Sequence, residues 1–347
     1  MVAPEAQSLR VIVRSNRDEI GELAPQWLEL CRRSEGVTPF QRPEWLLAWI
    51  DAFRPCELFA VEVRDDQRLV GLALLLIYPR GEQRVLAFAG GGVSDYLGWI
   101  CERGREADLL QAVATSIEGD WDVLDLTDLH ANSEIVKLFS LEPYVNEHDF
   151  CSVLDLPETQ SELLQLFSKR QRANLRNARS RLERAGGGQF EAATPENLSE
   201  FLDDLFCLHT TRWSQAGEAG VLHDERVQLF HRMCAPALHS QGILKLHRMR
   251  VNGRTAGVLH SLWNGGTVFC YLHGFDPAYA ALSPGTQLIF TAMREAVSCG
   301  MRRFDFLRGQ EAYKQHWRSQ PCPTFRVTLT RERLQQALRS TRASNAA

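Results

Sequence analysis

The chain has 347 residues, 44% apolar and 24% charged, which is length for two ordinary domains and enough apolar material for a sizeable core in each. Its longest apolar run, Val70 to Tyr78, is far short of the roughly 20 residues a membrane-spanning helix needs, and Arg10, Arg14 and Arg17 interrupt any apolar leader. The net charge of −4 does not favour a nucleic-acid partner, but it hides an asymmetry: residues 1–150 carry 14 Lys and Arg against 26 Asp and Glu, the remainder 25 against 17.

Nine cysteines without a C-x-x-C pair argue against a disulfide framework or structural zinc, and for a reducing, cytoplasmic setting with no metal. There is no H-E-x-x-H, no Walker loop and no G-x-S-x-G elbow, so metalloprotease, P-loop and common hydrolase chemistry lack support.

In chain order, the pattern predicts a strand at Leu9–Arg14 and helices at Arg17–Arg33 and Pro43–Phe53. A hairpin of Leu58–Arg64 and Leu69–Pro79 follows, then a strand at Arg84–Ala89, the glycines 90–92, Ser94-Asp95-Tyr96, a helix at Arg105–Glu118 and a strand at Asp122–Thr127. A boundary is expected near Glu142–Asp149. The second half opens with a strand at Ser152–Leu156 and one long helix at Ser161–Ala185, closed by the glycines 186–188. A short strand at Phe190–Ala193 and helices from Pro195 to Gln215 and Asp224 to Ser240 come next. Strands at Ile243–Val251, Thr255–Trp263 and Thr267–Phe275 are joined by Asn252-Gly253 and Gly265-Gly266, residues suited to tight hairpin turns. The turn Ser283-Pro284-Gly285-Thr286, a helix stopping at Gly300, and strands at Arg303–Leu307 and Phe325–Thr330 complete the chain, with a polar helix and tail over 333–347. Both halves thus read β-α-α-β-β-β-α-β, as modules 1–148 and 149–332. The fold class is α/β, each module a mixed, mostly antiparallel sheet flanked by helices.

Several constellations point to chemistry. A helix that opens directly after a strand, with a glycine in its first turn, offers unpaired N–H groups to a pyrophosphate at Gly285. On the helix at 161–185, Leu164, Phe167, Leu175, Ala178, Leu182 and Ala185 form one stripe, and Lys169, Arg170, Arg172, Arg176, Arg179, Arg181 and Arg184 the opposite one. That face is either simply solvated or faces an anion: the acidic N-terminal half, a phosphate-bearing ligand, RNA or a membrane surface. His209 and Trp213 share a helix face with Arg212 beside them, which suits either a structural cluster or substrate contact.

The motifs SKRQRANLRNARSRLERAGG (168–187), LHTTRW (208–213), YLHGFDPAYAALSPGTQLI (271–289) and RRFDFLRG (302–309) resemble the acetyltransferases of the CelD/BcsL family, and PFQRPEWLLAWIDAF (39–53) and SDYLG (94–98) also fit. The element order resembles the GNAT fold in the tandem form of FemAB-like proteins. The resemblance implies an N-acyltransferase that takes acetyl-CoA or another acyl-CoA as cosubstrate. Its acceptor would be a primary amine, such as an amino sugar or polysaccharide precursor, lying between the modules. It assigns the CoA pyrophosphate to Ser283, Gly285, Thr286 and Gln287, although the usual glycine-rich GNAT loop is replaced by Ser-Pro-Gly-Thr and Pro284 has no N–H to give. Catalysis falls to Glu311 or Asp305 as base and Tyr313 as proton donor. Acceptor contacts fall to Asp95, Tyr96, His209, Arg212, Trp213, His273, Arg308 and Lys314. Asp305 also reads as a buried strand carboxylate paired with a nearby arginine. Two rivals share these residues: a transferase using aminoacyl-tRNA, and a non-catalytic module of exopolysaccharide synthesis.

Overall fold

In the computed structural model, residues 9–117, 121–139, 144–215, 217–309 and 311–336 are described; Glu118, positions 142–143 of the expected boundary and the tail from 337 lie outside them. The chain divides into two compact units, Met1–Asp149 with Pro323–Ala347, and Phe150–Cys322.

The first unit contains β1 (Arg10–Arg14), α1 (Arg17–Glu22), α2 (Ala24–Arg33), α3 (Pro43–Phe53), β2 (Glu57–Asp65), β3 (Arg68–Arg80), β4 (Gln83–Phe88), β5 (Ile100–Cys101), α4 (Glu106–Ser116), β6 (Val123–His130) and α5 (Glu134–Phe139). Its strands run in the order β1-β2-β3-β4-β6, and the last strand of the chain, β13 (Gln320–Thr330), closes it antiparallel to β6 from Thr324↔His130 to Thr330↔Val123. Among the described residues its strands pair antiparallel except β4 with β6, and an isolated bridge, Leu97↔Leu129, is also parallel. Val61, Ala73, Leu86, Leu109, Val113, Leu124 and Val327 lie in its core. Their burial follows from strands that are apolar on both faces, as in β3, where eight of the first ten residues are buried.

The second unit contains β7 (Val145–Asp155, from Phe150 on), α6 (Gln160–Gln165), α7 (Lys169–Arg184), β8 (Gln189–Ala192), α8 (Leu198–Gln215), α9 (Glu225–Ser240), β9 (Leu244–Val251), β10 (Arg254–Asn264), β11 (Thr267–Phe275), α10 (Pro284–Ser298), β12 (Arg303–Arg308) and α11 (Ala312–Gln315). Its sheet order is β7-β12-β11-β10-β9-β8, again with a single parallel pair, β11 with β12. Each unit is therefore a mixed, mostly antiparallel sheet flanked by helices.

Two expectations change. The expected helix over 17–33 is two helices, α1 and α2, which meet at Leu23. The expected helix over 161–185 is two helices. Thr159 with Glu162 and Ser168 with Gln171 form successive capping boxes, and Ser168 takes extended angles that end one helix and cap the next. The hairpin turns match expectation: Asn252 and Gly253 (φ 50° and 77°), and Gly265 and Gly266 (φ 56° and 79°), all adopt the left-handed angles that two-residue loops require.

Candidate active site

The parallel register of β11 and β12 runs only from Thr267↔Arg303 to Phe269↔Asp305, and beyond it the strands part. Two local irregularities accompany the opening. On β11 the register slips between Ser261↔Cys270 and His260↔Leu272, so Tyr271 is an extra residue in a bulge. On β12 Leu307 has a φ of 61°, and Asp305, 4% exposed, accepts its N–H at 2.7 Å. Asp305 thus fixes the bend that ends the strand.

The loop after β12 is held from inside. Lys314 Nζ donates to the carbonyls of Leu307 (3.1 Å), Arg308 and Gly309 (3.3 Å) and pairs with Glu311 at 2.9 Å, with only 4% of its side chain exposed. Its ammonium is committed to this loop, and Glu311 is the more exposed partner. Arg308 is half-buried at the end of β12.

On the β11 side, Arg212 Nη1 lies 3.0 Å from His273 Nε2, and its guanidinium stands 5.1 Å from the Phe275 ring and 5.9 Å from Trp213. The Tyr313 ring meets His273 edge-on at 5.2 Å. His209 is 3% exposed, 5.9 Å from Trp213, and its buried Nδ1 has no hydrogen-bond partner among the described residues. Burial, with Arg212 adding to it, pushes His209 down to about 4 and His273 to about 3, so both are neutral near pH 7. Burial raises the Tyr313 phenol, which stays protonated, and pushes the Cys270 thiol up to about 12.

Helix α10 opens against the same residues. A Cβ built on Gly285 would have as nearest atoms Phe275 at 3.9 Å and His273 at 4.0 Å, ordinary contact distances, so a side chain there would rest unstrained against two rings of the site. Ser283 is left-handed (φ 54°), and its carbonyl takes the N–H of Gln287 at 3.1 Å. The N–H groups of Gly285 and Thr286 have no partner among the described residues. The Gln287 side chain donates to Leu282 O (2.8 Å) and Ala178 O (3.4 Å), which braces the turn. Two free donors and the positive end of a 15-residue helix suit a pyrophosphate-bearing donor.

The structure therefore brings together Arg212, Trp213, His209, His273, Gly285, Thr286 and Tyr313, with Asp305, Glu311 and Lys314 shaping the adjoining loop. Asp95 and Tyr96 belong to the first unit. Tyr96, 3% exposed, packs against Phe40 (6.4 Å) and His130 (5.7 Å), and its carbonyl accepts from Gln41. There β4 and β6 also part early, after Leu86↔Leu124, but Leu97 fills in, its N–H donating to Asp128 O at 3.0 Å. Phe275 is not singled out by the sequence, and Arg181 reads there only as one of seven cations on α7: its hydrogen bonds to Ala281 and Ser283 leave no local signature.

Residues 169–315 match the family model of the acetyltransferase (GNAT) domain. This match to a GNAT acetyltransferase domain supports an acyltransferase, and the matched segment runs from α7 to α11 and encloses the opening between β11 and β12. Among solved structures, FemX is similar over 92% of this chain and 97% of its own at 12% identity, with a TM-score of 0.64. A conserved protein of Bacteroides thetaiotaomicron VPI-5482 is similar over 92% and 99% at 13% identity, with a TM-score of 0.60. At such identities these likenesses speak for the fold, and they extend it over both units. No curated protein matches the sequence. Among the described residues, no helix of the domain or of the rest of the chain is long and apolar enough to cross a membrane.

Proposed function

We propose that the chain transfers an acyl group, acetyl in the simplest case, from acyl-CoA to a primary amine by direct attack on the thioester. The observation that carries this is the opening of β11 from β12 beside the free N–H groups of Gly285 and Thr286. Acyl-CoA brings an activated carbonyl and a thiolate leaving group. The amine nitrogen bonds to the carbonyl carbon, the C–S bond breaks, the amine loses a proton and the thiolate gains one.

The residues divide this work. Gly285 and Thr286 hold the pyrophosphate, with Ser283 and Gln287 shaping the turn. Tyr313, edge-on to His273, is by its position the candidate proton donor to the leaving sulfur. Glu311 is the base this reading favours, because its side chain is 40% exposed whereas Asp305 is committed to the Leu307 N–H. Arg212, Trp213, His209, His273 and Arg308 receive the acceptor. Direct attack is favoured over a covalent enzyme because Cys270, the cysteine of β11, stays a thiol. The resemblance to CelD/BcsL acetyltransferases supports an amino sugar or polysaccharide precursor as acceptor.

Release of free thiol from acetyl-CoA, followed over a panel of amino sugars and simple primary amines, tests this reading. Amine-dependent release supports it; none across the panel, with folded protein, counts against it. A second reading, transfer from aminoacyl-tRNA, draws on the exposed Lys169, Arg170 and Arg176 of α7. It predicts strongly salt-dependent RNA binding and no affinity for CoA.

A further inference from the structure

The cations of α7 do not all face solvent. Arg179 pairs with Glu183 at 3.0 Å, and Arg184 Nε returns to Ser180 O of its own helix at 3.2 Å. Arg181 instead crosses to the turn before α10: its Nε donates to Ala281 O at 2.6 Å and its Nη2 to Ser283 Oγ at 3.2 Å. Its Nη1 has no hydrogen-bond partner among the described residues. From the opposite side Gln287 reaches Ala178 O, so α7 and the turn are fastened together where Arg181 stands.

The turn itself is poor in donors. Pro284 has none, the Gln287 N–H is taken by Ser283 O, and only Gly285 and Thr286 remain. Two neutral N–H groups and a helix dipole worth about half a charge face a ligand group bearing two negative charges. Ser283 is also held at a φ of 54°, which an L side chain resists, and Arg181 bonds both to its hydroxyl and to the carbonyl two residues before it. A guanidinium suits this task, since its fixed fork can brace the turn with one edge and meet a phosphate with the other.

Resting on the acyl-CoA reading above, we propose that Arg181 is a phosphate-binding residue of the donor site. It supplies, from α7, the positive charge that the Ser-Pro-Gly-Thr turn does not provide, and it holds Ser283 in the conformation that presents Gly285 and Thr286.

The test compares acetyl-CoA with S-acetylpantetheine, which has the same thioester arm and no phosphate, by calorimetry at low and high salt. For Arg181→Ala the expected result is acetyl-CoA binding weakened about tenfold, with a flatter salt dependence than the wild type and S-acetylpantetheine binding unchanged. Arg181→Lys keeps most of the salt dependence, because the charge remains, and it carries the same test if the alanine variant melts early. Wild-type affinity for acetyl-CoA in Arg181→Ala overturns the inference alone. So does weakening with unaltered salt dependence, since a mere brace would behave that way. If the wild type binds no acetyl-CoA, the acyl-CoA reading fails first and this inference goes with it.

Discussion

Arg212 Nη1 and His273 Nε2 lie 3.0 Å apart, and a guanidinium can only donate, so the imidazole accepts at Nε2 and carries its proton on Nδ1. The pair explains why His273 titrates near 3: burial and the adjacent cation both oppose a second positive charge. His273 cannot take a proton at Nε2 while Arg212 stays in place. Replacing Arg212 by Met should let the His273 pKa rise toward the ordinary 6.5, by at least about one unit, as followed by NMR of its ring protons. A His273 that still fails to titrate above pH 5 would show that burial alone sets its state.

Two glycines separate folding from ligand access. A Cβ at Gly274 would fall 2.6 Å from the backbone nitrogen of His209, so α8 would have to move; Gly274→Ala should cost roughly 1–3 kcal/mol and be seen as a lower urea midpoint. At Gly285 the nearest atoms are 3.9 Å away, so Gly285→Ala should leave stability unchanged or raise it by about 0.5–1 kcal/mol. Equal losses for both would contradict the packing described.

Lys314 is a pin for the loop after β12. Lys314→Met removes a buried cation and leaves the carbonyls of Leu307, Arg308 and Gly309 and the Glu311 carboxylate without it. A loss of about 3–5 kcal/mol is expected, lowering the thermal midpoint by several degrees. An unchanged midpoint would mean that the ammonium serves a ligand and not the loop.

Acid should loosen the second unit before its carboxylates titrate. His231 and His260 pack 5.4 Å apart beside Tyr271; burial lowers His231 well below 6.5, His260 to about 3, and His209 to about 4. Below pH 6.5 the unfolded chain binds protons that these folded histidines refuse, so stability is full above that value and falls as pH drops toward the folded values. The slope is at most about 1.4 kcal/mol per pH unit for each histidine. Paired carboxylates such as Glu295, near 2, add only at lower pH. Urea melts between pH 7 and 5 should show the decline, reduced in His260→Gln; a flat profile would contradict it.

Local chemistry was readable in the sequence and long-range pairing was not. Asn252-Gly253 and Gly265-Gly266 specify their own turns, and the strands they join follow. That β7 joins β12, and that β13 closes the first unit, depends on partners about 150 and 200 residues away in the chain, which no local pattern encodes. The break at Ser168 was present as a capping box, but the apolar stripe running through it suggests one helix. At the site, the turn at Gly285 and the cluster of His209, Arg212 and His273 were legible by residue type. The inward course of Lys314 and the crossing of Arg181 were not, because both answer to carbonyls that only the folded backbone exposes.

If the turn at Gly285 beside the β11–β12 opening holds the acyl donor, calorimetric titration with acetyl-CoA will show it. Wild-type protein should bind, and Gly285→Trp, which sets an indole at the turn beside His273 and Phe275, should fold and lose binding by about a hundredfold or more. Equal affinity in both proteins would place the donor elsewhere, and no binding by the folded wild type would contradict the acyl-CoA account.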